Sequence, residues 1–196
     1  MRFFCFLLGL LLSLQASAFS PEDLRAFGKS APVQLYLFTS LSCPHCSTFH
    51  KKVLPSVKRE YADTGKAQII VVDMIQSENG LIATQILRCL DVEPANKFED
   101  DIYSNQSQWL SKNTADAKRI FFSYAAKQGM NQEAFDTCLS NIDLKKAILE
   151  QQSNLGRLYG ITGTPTLLMR EGAEVRKWQG GNKKEIMKGL AEAFQK

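Results

Sequence analysis

Hydrophobic and polar positions change period along the chain, and the changes mark its parts. Val33-Gln34-Leu35-Tyr36-Leu37-Phe38 carries four apolar residues in succession, the pattern of a strand buried on both faces. Cys46, Phe49, Val53, Leu54 and Val57 then recur at helical spacing, predicting a helix from Ser47 to Tyr61 that Pro55 kinks without abolishing. After a turn at Asp63-Thr64-Gly65-Lys66, the segment Ala67 to Asp73 contains Ile69-Ile70-Val71-Val72, a second buried strand. Strand, helix, strand in that order is a right-handed parallel unit. From Ser77 to about Tyr159 no strand pattern survives, and four or five helices are expected. Asn113-Thr114 starts one with Ile120, Phe121, Tyr124 and Ala125 on its apolar face and Gly129 as C-cap, Asn131 caps another through Ser140, and Asp143 opens a third that Gly160 closes. Thr166 to Arg170, a Glu171-Gly172 turn, and Glu174 to Trp178 read as a hairpin. A last helix runs from Asn182 to Phe194 with Ile186, Leu190 and Phe194 inward.

Neither two strands nor a hairpin buries a core alone, so the first and last parts must pack together, with the helical segment as a cap on that α/β layer. Ahead of the first strand, Ser20-Pro21-Glu22-Asp23 has the signature of a helix start, predicting a short helix to about Gly28.

The first eighteen residues follow another logic. Arg2 precedes the apolar run Phe3 to Leu14, and Ala16-Ser17-Ala18 has the small-x-small form of a cleavage site. That run falls short of the roughly twenty residues of a membrane span, so a signal peptide cut after Ala18 is expected, with an uncleaved anchor as the alternative. Losing Arg2 leaves 23 basic against 20 acidic residues, a scattered excess that does not make a nucleic-acid footprint. Cys5 leaves with the leader, and Cys43, Cys46, Cys89 and Cys138 remain. An even set in an exported protein suggests two disulfides.

Two stretches carry chemistry. Cys43-Pro44-His45-Cys46 lies between the first strand and its helix, where unpaired backbone N–H groups and the helix dipole favour a thiolate at Cys43 and a protonated His45 would add positive charge. Gly160-Ile161-Thr162-Gly163-Thr164-Pro165-Thr166 is a glycine-flanked turn with a plausible cis bond before Pro165. A zinc site using His50 stays open as a minor alternative, although four ligands are hard to assemble from His45, His50 and the cysteines, and no metal is expected. A purely structural Cys43–Cys46 bridge is a second alternative, but so short a loop stabilises little. Cys89 and Cys138 fit a structural disulfide within the helical segment, with free thiols or a second redox pair as alternatives. His50 is expected to be an exposed helix residue, and Trp109 and Trp178 core aromatics.

Taken together, Cys43-Pro44-His45-Cys46 and Gly163-Thr164-Pro165-Thr166 resemble the motifs of DsbA-type thiol–disulfide oxidoreductases of the thioredoxin superfamily. The resemblance covers nearly all of the chain after the leader. It implies an α/β thioredoxin fold with an inserted α-helical domain: residues 1–18 as signal peptide, 19–76 with 160–196 as the thioredoxin-fold domain, and 77–159 as the insert. It further implies Cys43 and Cys46 as the catalytic pair, Pro44 and His45 as modulators, and a cis Thr164–Pro165 loop that lies against the cysteine pair and binds an extended substrate. No cofactor is implied. The expected function is a periplasmic monomeric oxidase that introduces disulfides into reduced secreted proteins and is renewed by a DsbB-type membrane partner. A disulfide isomerase or reductase, or a thioredoxin-fold chaperone or binding module with vestigial cysteines, are the alternatives. Isomerases of the related type carry a separate dimerisation domain, for which the residues before Val33 are too few. Many relatives have a buried acid six positions before the first cysteine. Here Leu37 stands there, so proton transfer to Cys46 has to use water or another group. Threonine before the proline is shared with isomerase-type relatives.

Overall fold

The computed structural model describes residues 24–195; the expected leader and its cleavage site lie outside them. Strands β2 (Val33–Thr39) and β3 (Ala67–Asp73) pair in parallel, with Leu35 opposite Ile69 and Leu37 opposite Val71. The chain between them forms helix α1 (Pro44–Lys52), a short helix α2 (Leu54–Val57) and one π turn over Lys58–Ala62. The expected helix thus starts earlier than Ser47 and is interrupted at Val53. Pro55 has no N–H to offer the preceding turn, which is the break its ring demands.

Strands β4 (Thr166–Glu171) and β5 (Glu174–Gln179) form the expected hairpin, and β4 lies antiparallel on β2. A two-residue strand β1 (Ala26–Phe27) completes the order β1-β3-β2-β4-β5. The helix expected to run to Gly28 is therefore not what residues 24–28 form. Ala26 and Phe27 pair with Ile70 and Ile69 instead, because the free edge of β3 satisfies more backbone groups there than one exposed turn would.

The sheet is buried on both faces. Val33, Leu35, Leu37 and Ile69 point to α1, α2 and the terminal helix α9 (Lys183–Ala193), while Tyr36, Phe38, Ile70 and Val72 point to the other side. On α9, Ile186 and Leu190 are buried as expected, and half-buried Phe194 stacks on Tyr61 at 4.7 Å. Half-buried Trp178 lies so close to Gly189 that a side chain at that position would collide with its indole.

Between β3 and β4 six helices are described: α3 (Glu78–Cys89), α4 (Val92–Ser104), α5 (Gln106–Trp109), α6 (Thr114–Lys127), α7 (Gln132–Ser140) and α8 (Ile142–Leu158). The number exceeds the expected four or five because the chain breaks at Asn105, where φ −119 and ψ 26 split off the one-turn α5. Asn113, Asn131 and Asn182 cap their helices as expected, while α8 is capped by Asn141, two residues before Asp143, through the Leu144 N–H. Phe98, Ile102, Trp109 and Phe121 fill this layer's core, Trp109 fully buried as expected. Cys89 and Cys138 join α3 to α7 in a disulfide, with an S–S distance of 2.07 Å and a separation of 49 residues.

One ionic contact ties β1 to the helical layer. The Arg25 guanidinium forks onto the Glu99 carboxylate of α4, both contacts at 2.6 Å and both side chains buried. Burial alone would raise the Glu99 pKa, but the Arg25 charge overrides it and holds it below its ordinary value. Neighbouring Asp73, 3.4 Å from Arg88, is pushed up by burial against the pull of Arg25 and Arg88. Glu99 therefore adds stability above the ordinary glutamate range and loses it as the pH falls below; Asp73 has the opposite sign and gains stability on protonation.

Glu99→Gln should leave Arg25 buried without its forked ionic partner and cost about 3 kcal/mol at neutral pH in urea unfolding. The loss should shrink as the pH is lowered, because the native carboxylate is then neutralised too. Replacing both Cys89 and Cys138 by alanine should cost roughly 4 kcal/mol in the same assay, the loop-closure value for a span of this length.

Candidate active site

Cys43 occupies the N-cap of α1, with extended backbone at φ −92 and ψ 120, and its sulfur accepts a hydrogen bond from the Cys46 N–H at 3.4 Å. Pro44 at the first helical position has no N–H to leave unpaired, so the helix can start directly after the cysteine. Pro44 and His45 are exposed, whereas Cys46 turns inward on the next face and is 0% exposed against 7% for Cys43. Both are free thiols, so of the two disulfides expected only Cys89–Cys138 is formed.

The loop before β4 faces the pair. The Thr164–Pro165 peptide bond is cis, and the Cys43 thiol lies 3.5 Å from the Thr164 carbonyl oxygen. The Thr164 hydroxyl accepts from the Gln76 side chain at 3.0 Å. Gln76 belongs to the loop after β3, which Gln152 of α8 clamps by bonding the Ile75 N–H at 2.7 Å and its carbonyl at 3.4 Å. Sequence spacing could not have found Gln76, because the contact joins residues 88 apart.

Beneath the pair, the Cys46 sulfur accepts from the Ser40 N–H at 3.4 Å, and Gln106 of α5 donates to the Leu41 and Cys43 carbonyls at 2.7 and 3.1 Å. Burial pushes the Cys46 thiol up to about 11, with the Thr164 and Thr39 hydroxyls and the Ser40 N–H pulling the other way. Leu37 is buried, and no acid stands in its place. Charged and polar groups border the sulfur instead: Arg25, Glu99, His50, Tyr103 and Thr39 line one enclosed gap with Cys46 and Leu37.

His50 departs from expectation. Its side chain is only 15% exposed and bonds Asp100 at 2.6 Å, approaches Glu99 at 3.9 Å and stacks on Tyr103 at 4.7 Å. Helix α4 packs across α1 and covers it, a long-range contact that local periodicity cannot register. Among the described residues no group of three or more metal-ligating side chains converges, and His50 is turned to Asp100. On the outer side of His50 an open cavity of about 480 Å³ is lined by Phe27, Leu54, Pro55, Lys58, Asn96 and Glu99, among others.

The thioredoxin family profile matches residues 22–179. A Rickettsia typhi chain named protein-disulfide oxidoreductase is 23% identical over 149 residues, covering 76% of this chain and 54% of its own length. The chain thus spans about half the length of the first curated relatives it matches. A Bacillus cereus chain named disulfide bond formation protein D is 26% identical over 160 residues, covering 76% of this chain and 71% of that one. In fold, the crystal structure of Wolbachia pipientis alpha-DsbA1 superposes with a TM-score of 0.77, at 24% identity over 87% of this chain and 89% of that one. The sheet order, the helices between β3 and β4, and the cysteine pair facing a cis-proline loop agree with these likenesses: the chain belongs to the thioredoxin family and has the DsbA-like form of its fold.

Proposed function

We propose that the protein is an exported dithiol oxidase that introduces disulfides into other secreted proteins through Cys43 and Cys46. The observation that carries the proposal is the asymmetry of the pair: Cys43 keeps an accessible edge at the helix N-cap, and Cys46 lies wholly beneath it. In the oxidised protein a substrate thiolate attacks the Cys43 sulfur, the Cys43–Cys46 bond breaks, and the electron pair leaves on Cys46. A second substrate thiolate then attacks the mixed disulfide and expels Cys43, leaving an oxidised substrate and a reduced protein. Negative charge on Cys43 meets the Cys46 N–H and the N-terminal end of α1, which stabilises the reduced form and favours the oxidising direction. Pro44 and His45 modulate that charge, and the Thr164–Pro165 loop binds an extended substrate chain by its backbone.

In this reading residues 19–76 and 160–196 make the catalytic thioredoxin unit, 77–159 the inserted helical unit, and Cys89–Cys138 is structural. Residues 1–18 direct export to the periplasm, where the protein acts as a monomer and a DsbB-type membrane partner returns it to the disulfide form. Thr164 supports the second reading, an isomerase or reductase, because isomerase-type relatives share it. A binding module with idle cysteines is the third.

The redox equilibrium of Cys43–Cys46 against glutathione separates the first two readings. A potential near the roughly −120 mV of DsbA is expected; a value near the roughly −270 mV of thioredoxin would assign a reductase. In cells lacking their own oxidase, Cys43→Ala should abolish complementation, and unchanged complementation would favour the binding module. Brief alkylation of the reduced protein at neutral pH should modify Cys43 and spare Cys46, whose buried thiol at about 11 is almost wholly protonated there.

A further inference from the structure

The sulfur of Cys46 is buried beside Leu37, and the Glu99 carboxylate on the same gap is held by Arg25, yet thiol–disulfide exchange, on which this inference rests, requires the sulfur to carry charge each time it leaves or attacks. The Ser40 N–H reaches it at 3.4 Å, Thr39 and Tyr103 border the same enclosed gap as the sulfur, and the Thr164 and Thr39 hydroxyls favour its charged form. Thr39 is not alone: its oxygen lies 2.8 Å from the Tyr103 hydroxyl, which in turn is 3.5 Å from the Ser40 carbonyl oxygen.

Each of these hydroxyls has one hydrogen, so the cluster has two consistent arrangements. In the first, Tyr103 donates to the Thr39 oxygen, and the Thr39 hydrogen is free to point at the sulfur. In the second, Thr39 donates to Tyr103, Tyr103 donates to the Ser40 carbonyl, and the sulfur loses the Thr39 bond. An anionic sulfur favours the first. A neutral thiol or a disulfide, being a weak acceptor, permits the second.

We propose that Tyr103 is a positioning residue for the exchange reaction: by donating to Thr39 it aims the Thr39 hydroxyl at the Cys46 sulfur, so that the Tyr103–Thr39 pair is a two-position hydrogen-bond switch that follows the charge on Cys46.

The surroundings fit that role. Tyr103 is fixed by Ser47 and Lys51, which donate to its carbonyl at 2.9 and 3.3 Å, and by the His50 ring on its face. Arg25, Glu99 and His50 border the same enclosed gap, which lacks room for a water molecule, so no solvent competes for the two hydroxyls. Asp73 lies opposite Thr39 in the β2–β3 register. Burial, with Glu99 and Cys46 adding to it, pushes the Tyr103 hydroxyl well above its ordinary value, and the group remains a donor throughout the working pH range.

The test isolates the step in which Cys46 attacks. Reduced protein is mixed with dithiobis(nitrobenzoate): the Cys43 thiolate attacks that disulfide, one nitrothiobenzoate leaves, and the other stays on Cys43 as a mixed disulfide. Cys46 gives its proton to the buffer, its thiolate attacks the Cys43 sulfur, the Cys43–Cys46 bond forms, and nitrothiobenzoate is expelled and read by absorbance. Tyr103→Phe, which keeps the ring, should slow release about tenfold, equivalent to one unit in the thiolate equilibrium. Thr39→Val should slow it at least as much, and Thr39→Ser should restore it. The double variant Tyr103→Phe/Thr39→Val should be no slower than Thr39→Val alone, since the two act as one unit. Tyr124→Phe, at a buried tyrosine bonded to Gln108, should release at the unsubstituted rate, showing that loss of a tyrosine hydroxyl does not itself slow the step. Wild-type release from Tyr103→Phe, or independent multiplicative slowing in the double variant, would overturn the switch. Failure of the unsubstituted protein to release nitrothiobenzoate would overturn the exchange reading, and the switch with it.

Discussion

Helix α1 has to satisfy two cores at once, and the rest of the molecule is arranged around that demand. Cys43 and Cys46 at its start belong to the apolar cluster of the helical layer, while Phe49, and Val53 just past its end, belong to the cluster under the sheet. A single helix crossing a seam in this way fixes the two layers relative to each other. It also explains where the chemistry sits: the helix N-terminus, with its unpaired N–H groups, emerges at the line where the layers meet and where a loop from β4 can reach it. The break at Val53 then lets the chain turn from that seam along the sheet.

The seam is polar below and apolar at each side, which is costly unless every buried charge has a partner. Arg25 and Glu99 meet by their full forks, Asp73 meets Arg88, and the hydroxyls of Tyr103 and Thr39 meet each other. The Arg25 Nε and Asn96 Oδ1 atoms are buried without a bond. These groups come from the residue before β1 and from β2, β3, α3 and α4, so the polar centre of the molecule is assembled almost entirely by long-range contacts. Leu37 becomes intelligible in that setting. An acid on β2 is absent where charge has been gathered from Arg25, just before β1, and from Glu99 of α4 instead.

How much of this could be read from residues alone follows from the range of each signal. The four apolar residues of β2, the Ile69–Val72 run and the asparagine caps of α6, α7 and α9 act over one element, and they were legible. So was the junction of Cys43 with Thr164, but only through a resemblance, since the residues are 121 apart. Ala26–Phe27 forms a strand and not the expected helix because the helix-start signature ahead of it is local, and pairing with β3 is not. His50 is covered and not exposed for the same reason: its exposure depends on α4, which no periodicity in α1 reports. Gln76 and Tyr103 carried no signal at all, as an isolated glutamine in a loop and an aromatic on a helix face have many commoner uses.

The two borders of the sheet have one more consequence. β1 is two residues long, and β5 shows Glu174, Arg176 and Lys177 along the outermost strand, with the Lys177 ammonium donating to the Tyr159 carbonyl at 2.7 Å. Short or charged borders resist the addition of a further strand. Neither border therefore offers a long, flat row of unpaired backbone groups, and the sheet is closed to edge-to-edge growth on both sides while the cis-proline loop stays at the cysteine pair.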